Sequence, residues 1–192
     1  MKVAGICGSP RERGNTAAMI RQVLGGAAAE GAETALCHLH DIDFDGCIAC
    51  QGCKTDGACV LQDDLQSVLE LIRASDALVF GSPIYFAEAT GLSRCFMERL
   101  FYPRLGMNHQ PIIDRNRNTV LVFCQGNPDL ERFADTVKKT KAIFNRFGFT
   151  VIGTIVAAGG HSGDEVATQV DVMDRAKALG RKLVLPATTR IR

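Results

Sequence analysis

Four cysteines crowd one short stretch: Cys47, Cys50, Cys53 and Cys59, spaced Cys-x2-Cys-x2-Cys-x5-Cys within residues 45–62. Thiolates are soft ligands for iron and zinc. Spacing this close lets a single loop wrap one compact object, such as a cubane of iron and sulfide, whereas structural zinc usually joins two separated cysteine pairs. Gly46, Gly52 and Gly57 let the backbone turn around it. Bound zinc and uncoordinated or oxidised thiols are the alternatives that the spacing leaves open. A second stretch with chemical content is Gly8-Ser9-Pro10-Arg11-Glu12-Arg13-Gly14-Asn15-Thr16, which joins an apolar run to a helical one. Helix N-terminal amides with Ser9, Asn15 and Thr16 suit the oxygens of a phosphate monoester, and Arg11 or Arg13 balances its charge. The same residues also serve as an ordinary helix cap. Neither the Gly-Lys-Ser/Thr of a triphosphate loop nor a G-x-G-x-x-G fingerprint is present, which disfavours ATP or NAD as a resident ligand.

Two further stretches would complete a ligand site. Ser82-Pro83-Ile84-Tyr85-Phe86 offers a rigid turn and two adjacent aromatics, either the apolar wall of a site for a planar ring or a cover for the sheet end. Gln125, Gly126 and Asn127 offer polar contacts, although Gly-Asn-Pro is also a common turn. Cys7, Cys37, Cys95 and Cys124 fall in apolar runs and read as small buried residues. His38, His40, His109 and His161 form no ligand pattern and read as structural. The Asp63-Asp64 pair is explained by the first turn of a helix.

The elements that must position these residues alternate. Apolar runs at Val3 to Cys7, Thr34 to Leu39, Ala77 to Phe80, Thr119 to Phe123 and Thr150 to Val156 read as strands. Helical periodicity covers Asn15 to Glu30, Asp63 to Arg73, Leu92 to Phe101, Leu130 to Phe147 and Val166 to Leu185. Five such βα units predict a flavodoxin-like α/β fold: a three-layer αβα sandwich on a five-stranded parallel sheet of order 2-1-3-4-5. Ligands of that fold bind beyond the carboxyl ends of the strands, at the switch between the first and third. The loops after strands one, three and four are the ones named above. Residues Tyr102 to Asn118 lack periodicity and read as a loop that lids the site or meets a second subunit.

The motif G-S-P-R-x-x-G-N-T after the first strand resembles the phosphate loop of NAD(P)H-dependent FMN reductases and related iron-sulfur flavoproteins. The likeness takes in the cysteine loop, Asp63-Asp64 and A-L-V-F-G-S-P-I-Y-F at Ala77 to Phe86, roughly the first hundred residues. It implies a non-covalent FMN with Ser9, Arg11, Asn15 and Thr16 around its phosphate and residues 82–86 around its ring. It also implies a 4Fe-4S cluster on the four clustered cysteines and a homodimer or homotetramer; the apolar face of the helix from Leu92 to Phe101 fits a subunit contact and core packing equally well. The donor is then NAD(P)H or a ferredoxin-like carrier, and the acceptor a small molecule. The rivals are a cluster-free NAD(P)H-dependent FMN or quinone reductase, and a non-enzymatic FMN electron carrier or thiol redox sensor.

Composition bounds these readings. The 192 residues, 46% of them hydrophobic, suffice for one core, so residues 1–192 read as a single domain. A balance of 22 basic against 21 acidic residues leaves a net charge of +1, without the basic footprint of nucleic-acid binding. The first apolar run is too short for a signal peptide and no stretch reads as membrane-spanning, so the expectation is a cytoplasmic protein with its cysteines reduced or metal-bound.

Overall fold

Buried β-branched and small apolar residues make β1 (Lys2–Cys7) a central strand: five of its six residues are fully enclosed. It pairs in parallel with β2 (Glu33–His38) on one side and β3 (Ala77–Tyr85) on the other. Beyond β3 follow β5 (Arg117–Cys124) and β6 (Phe149–Ala157), both parallel, so the sheet runs β2-β1-β3-β5-β6. The expected order of five parallel strands is present. A two-residue β4 (Glu88–Ala89) was not expected; it folds back antiparallel on the end of β3. These elements come from a computed structural model, which describes residues 1–55, 59–100, 117–161, 163 and 165–185.

Helices cover both faces. On one face lie α1 (Asn15–Ala28) and α6 (Val170–Val184), which bury Met19, Ile20, Val23, Ala176 and Leu183 against Val79 and Val122 of the sheet. Two glycines permit their close crossing. A Cβ at Gly26 would stand 2.1 Å from the Lys177 carbonyl, and one at Gly180 would stand 1.9 Å from that of Val23. On the other face lie α3 (Leu65–Arg73), α4 (Gly91–Arg99) and α5 (Ala134–Arg146). Phe80 is their common anchor, with ring centroids 5.6 Å from Phe96 and 4.9 Å from Phe144. The apolar side of α4 is therefore filled by the chain's own core, with Phe96 and Met97 buried.

Where boundaries differ from expectation, local hydrogen bonding accounts for it. β3 does not stop at Phe80 but runs to Tyr85, because residues through Pro83 stay in register with β5. Residues 82–85 thus belong to a strand, and the turn is at Phe86 and Ala87, both left-handed with φ of 50° and 63°. The helix expected from Leu130 begins at Ala134, since Asn127 and Asp129 side chains accept from the backbone of Asp129 and Glu131 and hold turns there. The closing helix begins at Val170 behind a 3-10 turn, Glu165–Thr168, whose Val166 amide donates to Asn15 Oδ1 at 3.1 Å. Of Tyr102 to Asn118, the last two residues lie in β5 and the rest fall outside the described residues, as does His109. A short α2 (Gly52–Thr55) sits within the cysteine loop. Among the described residues no helix is long and apolar enough to cross a membrane.

Since Phe80 bridges strand, α4 and α5, truncating it should open a cavity that three elements line. Phe80→Ala is expected to lower unfolding free energy by about 3–5 kcal/mol, read from urea denaturation midpoints at unchanged slope.

Candidate functional site

The carboxyl ends of β1, β3 and β5 open on one cleft of about 200 Å³. Its floor at one end is the loop after β1: Ser9, Arg11, Gly14, Asn15 and Thr16 all line it. α1 starts there with Gly14 in extended conformation, no side-chain cap and no acidic residue in the first turn. Its first amides therefore present their partial positive charge to the cleft. Ser9 Oγ accepts from the Arg11 amide at 3.1 Å and shapes the turn, while Arg11 Nη1 donates to the His161 carbonyl at 3.2 Å. Pro10 and Arg13, also expected at the site, are exposed and do not line the cleft.

Pro83, Ile84 and Tyr85 form a second wall and Gly126 a third. Ser82 is fully buried behind them, where its hydroxyl donates to the Pro83 carbonyl and accepts from the Thr90 amide, so it braces the wall rather than lining it. Phe86, expected beside Tyr85, points wholly into solvent; its left-handed backbone turns it away. Asn127 lies in the turn outside the cleft, and Gln125 is buried with its amide nitrogen donating to the carbonyls of Asn127 and Asp129. The Gln125 Oε1 atom is buried and has no hydrogen-bond partner.

Three lining residues were not expected at the site: Cys124 and His161, which sequence reads as structural, and Gly160. Cys124 reads as apolar core and is indeed buried, and burial, only partly offset by a hydrogen bond from Asn15, pushes its thiol up to about 11. It is a neutral wall residue. Gly160 cannot carry a side chain, since a Cβ would stand 2.6 Å from Asn15 Nδ2 and 3.0 Å from Cys124 Sγ. The signal for these positions was the Gly159-Gly160 pair just past the last strand, which marks a loop at the same sheet edge. Asn15, expected to face an anion, also holds that loop in place through Val166 and Glu165.

The cysteine loop forms a separate site. Cys47, Cys53 and Cys59 line a cavity of about 400 Å³ with Arg99 and Phe147, and Cys47 and Cys50 are exposed. Burial, and then the neighbouring Cys59, Cys47 and Cys50, raise the thiol of Cys53 above its ordinary value. The Ala49 amide donates to Cys47 Sγ at 3.4 Å, and Ala49 and Gln51 hold left-handed conformations with φ of 54° and 65°. Among the described residues no three His, Cys, Asp or Glu side chains gather as closely as a single metal ion needs. A cubane, held by sulfurs around its outside, accepts a wider arrangement. Of the remaining cysteines, Cys7 is buried as expected, whereas Cys37 and Cys95 are only half-buried.

Asp63 and Asp64 do more than start a helix. α3 begins at Leu65, and the Asp64 side chain does not cap it. Instead, Asp64 Oδ2 accepts from the Asp43 amide at 3.0 Å and Asp63 Oδ2 from the Asp45 amide at 3.3 Å. The buried Arg99 guanidinium grips both oxygens of Asp63 and donates to the Asp45 carbonyl at 3.0 Å. Both ends of the cysteine loop are thus tied to α4.

A parallel sheet of this order, with a cleft at its switch point and an uncapped helix start beneath, defines a flavodoxin-like fold. The model of the NADPH-dependent FMN reductase family matches residues 1–170, and the chain belongs to that family of flavin-dependent oxidoreductases. An iron-sulfur flavoprotein of Methanocaldococcus jannaschii is 39% identical over 106 residues, a match spanning 55% of this chain and 55%, about half, of the relative. One of Archaeoglobus fulgidus is 28% identical over 186 residues, covering 95% of this chain and 79% of the relative. Among solved structures, the NAD(P)H:quinone oxidoreductase of Methanothermobacter marburgensis superposes with a TM-score of 0.74 at 14% identity, covering 98% and 99% of the two chains. A flavone reductase gives 0.73 at 21% identity, covering 96% of this chain and 62% of its own.

Burial alone would raise the Asp63 carboxyl, but hydrogen bonds from Arg99 and the Asp45 amide outweigh it and hold the group below the ordinary carboxylate range. A depressed folded value means stability that is present above the unfolded value, near 3.9, and lost as pH falls through the folded one. Asp63→Asn should therefore flatten the acid limb of a plot of urea midpoint against pH below about 4, measured on metal-free protein.

Proposed function

We propose that this chain is an iron-sulfur flavoprotein. In this reading FMN lies in the cleft at the ends of β1, β3 and β5, and a 4Fe-4S cluster is held by Cys47, Cys50, Cys53 and Cys59. The observation that carries it is the convergence of four segments, far apart in sequence, the loop after β1, the end of β3, Cys124 with Gly126, and Gly160 with His161, on one cleft whose floor is an uncapped helix start beside Arg11. That end suits a phosphate, and Pro83, Ile84 and Tyr85 suit a planar ring. The names of the two archaeal relatives and the sulfur-rich cavity support the cluster.

FMN supplies the exchange of a two-electron hydride for single electrons, and a cluster supplies one-electron transfer. What the residues contribute is position and field. Arg11 and the first amides of α1 neutralise the phosphate dianion. Buried Ser82 and Thr90 hold the ring wall rigid, and Cys124 adds an apolar, un-ionised surface. No side chain need act as a general base. The donor is then a nicotinamide nucleotide or a ferredoxin-like carrier, and the acceptor a small molecule.

A second reading is a cluster-free NAD(P)H-dependent reductase with idle thiols, favoured by the exposure of Cys47 and Cys50 and the lack, among the described residues, of a closed ligand set. Anaerobic purification with iron, sulfide and FMN counted per chain separates the two. Iron and sulfide in about four-to-four ratio with flavin bands are expected; FMN without iron after reconstitution would select the cluster-free enzyme. Cys50→Ala is expected to lose iron and retain FMN. Arg11→Ala is expected to weaken FMN binding roughly ten- to hundredfold, the loss of one charge-assisted contact of about 1.5–3 kcal/mol, as read by flavin fluorescence titration.

A further inference from the structure

Arg99 is a buried cation whose Nε has no hydrogen-bond partner. Its side chain is 1% exposed, and its two terminal nitrogens are taken by Asp63 and the Asp45 carbonyl. A guanidinium has five donors in a rigid fork, and leaving one unpaired in the interior is costly. Cys59 neighbours the guanidinium, and both residues line the same cavity as Cys47 and Cys53. The neighbouring carboxylate on α4, Glu98, accepts from the Cys47 amide at 3.4 Å, so the helix touches the loop at both its first and its last cysteine. A Cβ on Gly46 would stand 3.3 Å from Cys95 Sγ, which brings the start of the loop flat against α4.

We infer that Arg99 is a positioning residue of the cysteine site: it ties the loop's two ends together through Asp45 and Asp63 and offers its Nε–H and positive charge to the sulfur of Cys59. The inference rests on reading the four cysteines as cluster ligands. Its physical content is separate from theirs. Four thiolates around a cluster gather negative charge, and each added electron increases it; a cation enclosed beside one sulfur, where water screens little, favours the reduced state. Hydrogen bonds to ligand sulfurs act in the same direction. Arginine suits this place better than lysine because only the planar fork serves a carboxylate, a carbonyl and a sulfur at once.

The test compares wild type, Arg99→Lys, Arg99→Gln and the double variant Asp63→Asn/Arg99→Gln after anaerobic reconstitution with ferrous iron and sulfide. The readouts are iron per chain, the rate of iron loss to a chelator and the midpoint potential of the cluster band. Far-ultraviolet circular dichroism and FMN content report folding. The double variant removes both charges and keeps the shape, so it stands in if the single one fails to fold. Expected are wild-type FMN in every folded variant, at least tenfold faster iron loss and a more negative potential for the Gln variants, and partial recovery for Arg99→Lys. A loaded wild type whose Gln variants match it in iron retention and potential overturns the role of Arg99 alone. A wild type that takes up no iron overturns the ligand reading and the inference with it.

Discussion

The hydroxyl of Thr90 connects the two sites of this molecule. It donates to the carbonyl of Gly8 at 2.6 Å, where the loop after β1 begins, and accepts from the Ser93 amide at 3.2 Å as the cap of α4. Its own amide donates to Ser82 Oγ at the end of β3, and the Gly8 amide donates to the Gly81 carbonyl at 2.8 Å. One buried residue thereby locks the floor of the cleft to its wall and fixes where α4 starts. Two turns of helix further on, α4 carries Glu98 and Arg99 to the cysteine loop. Because Thr90, Ser82 and Ser93 are enclosed, their hydrogen bonds cannot be exchanged for water without leaving buried polar groups unpaired, and the arrangement is correspondingly rigid.

Rigidity is distributed unevenly around this link. The cleft is built from strand ends and a helix start, whose positions the sheet sets; the cysteine loop is tied at residues 45–47 and 59–63 and, among its described residues, carries only the short α2 between. A group that brings its own shape suits the second site, since it supplies the contacts that the loop lacks. A flat ring with a phosphate tail suits the first, where preformed walls and helix-start amides need no rearrangement.

The sheet order and the place of the loop after β1 at the cleft were legible because they rest on local patterns: short apolar runs alternating with helical periodicity, and hydroxyl, glycine and arginine residues where a strand meets a helix. The cleft wall of Pro83, Ile84 and Tyr85 was legible in place but not in form. Sequence reads Ser82-Pro83 as a turn, but parallel pairing with β5 keeps the backbone extended through both, and the turn passes to Phe86, a residue that neither glycine nor proline marks. Cys124, Gly160 and His161 were missed for a different reason: each is ordinary in its own segment and reaches the cleft only through the register of β5 and β6. The Asp63-Asp64 pair shows the same limit, since a helix-start pattern accounts for the residue type while its partner, Arg99, lies 36 positions away.

That distant pair bears on why a charged residue is enclosed here at all. Arg99 and Asp63 together give up hydration that two apolar residues of like volume would not, so an ion pair at this position is a poor choice for stability alone. What it provides instead is direction. An apolar pair would fill the space between α4 and the cysteine loop without specifying which backbone atoms meet, whereas the guanidinium fork accepts only a geometry in which the Asp63 carboxylate and the Asp45 carbonyl approach together. Among its described residues the loop has no strand pairing and its backbone turns through two left-handed residues, so the ties at its ends, Asp43 to Asp64, Asp45 to Asp63 and Cys47 to Glu98, carry more of its geometry. The buried salt bridge adds to those ties a contact that joins both ends of the loop to a single side chain, and α4, which carries that side chain, is anchored in the core where Phe96 stacks on Phe80.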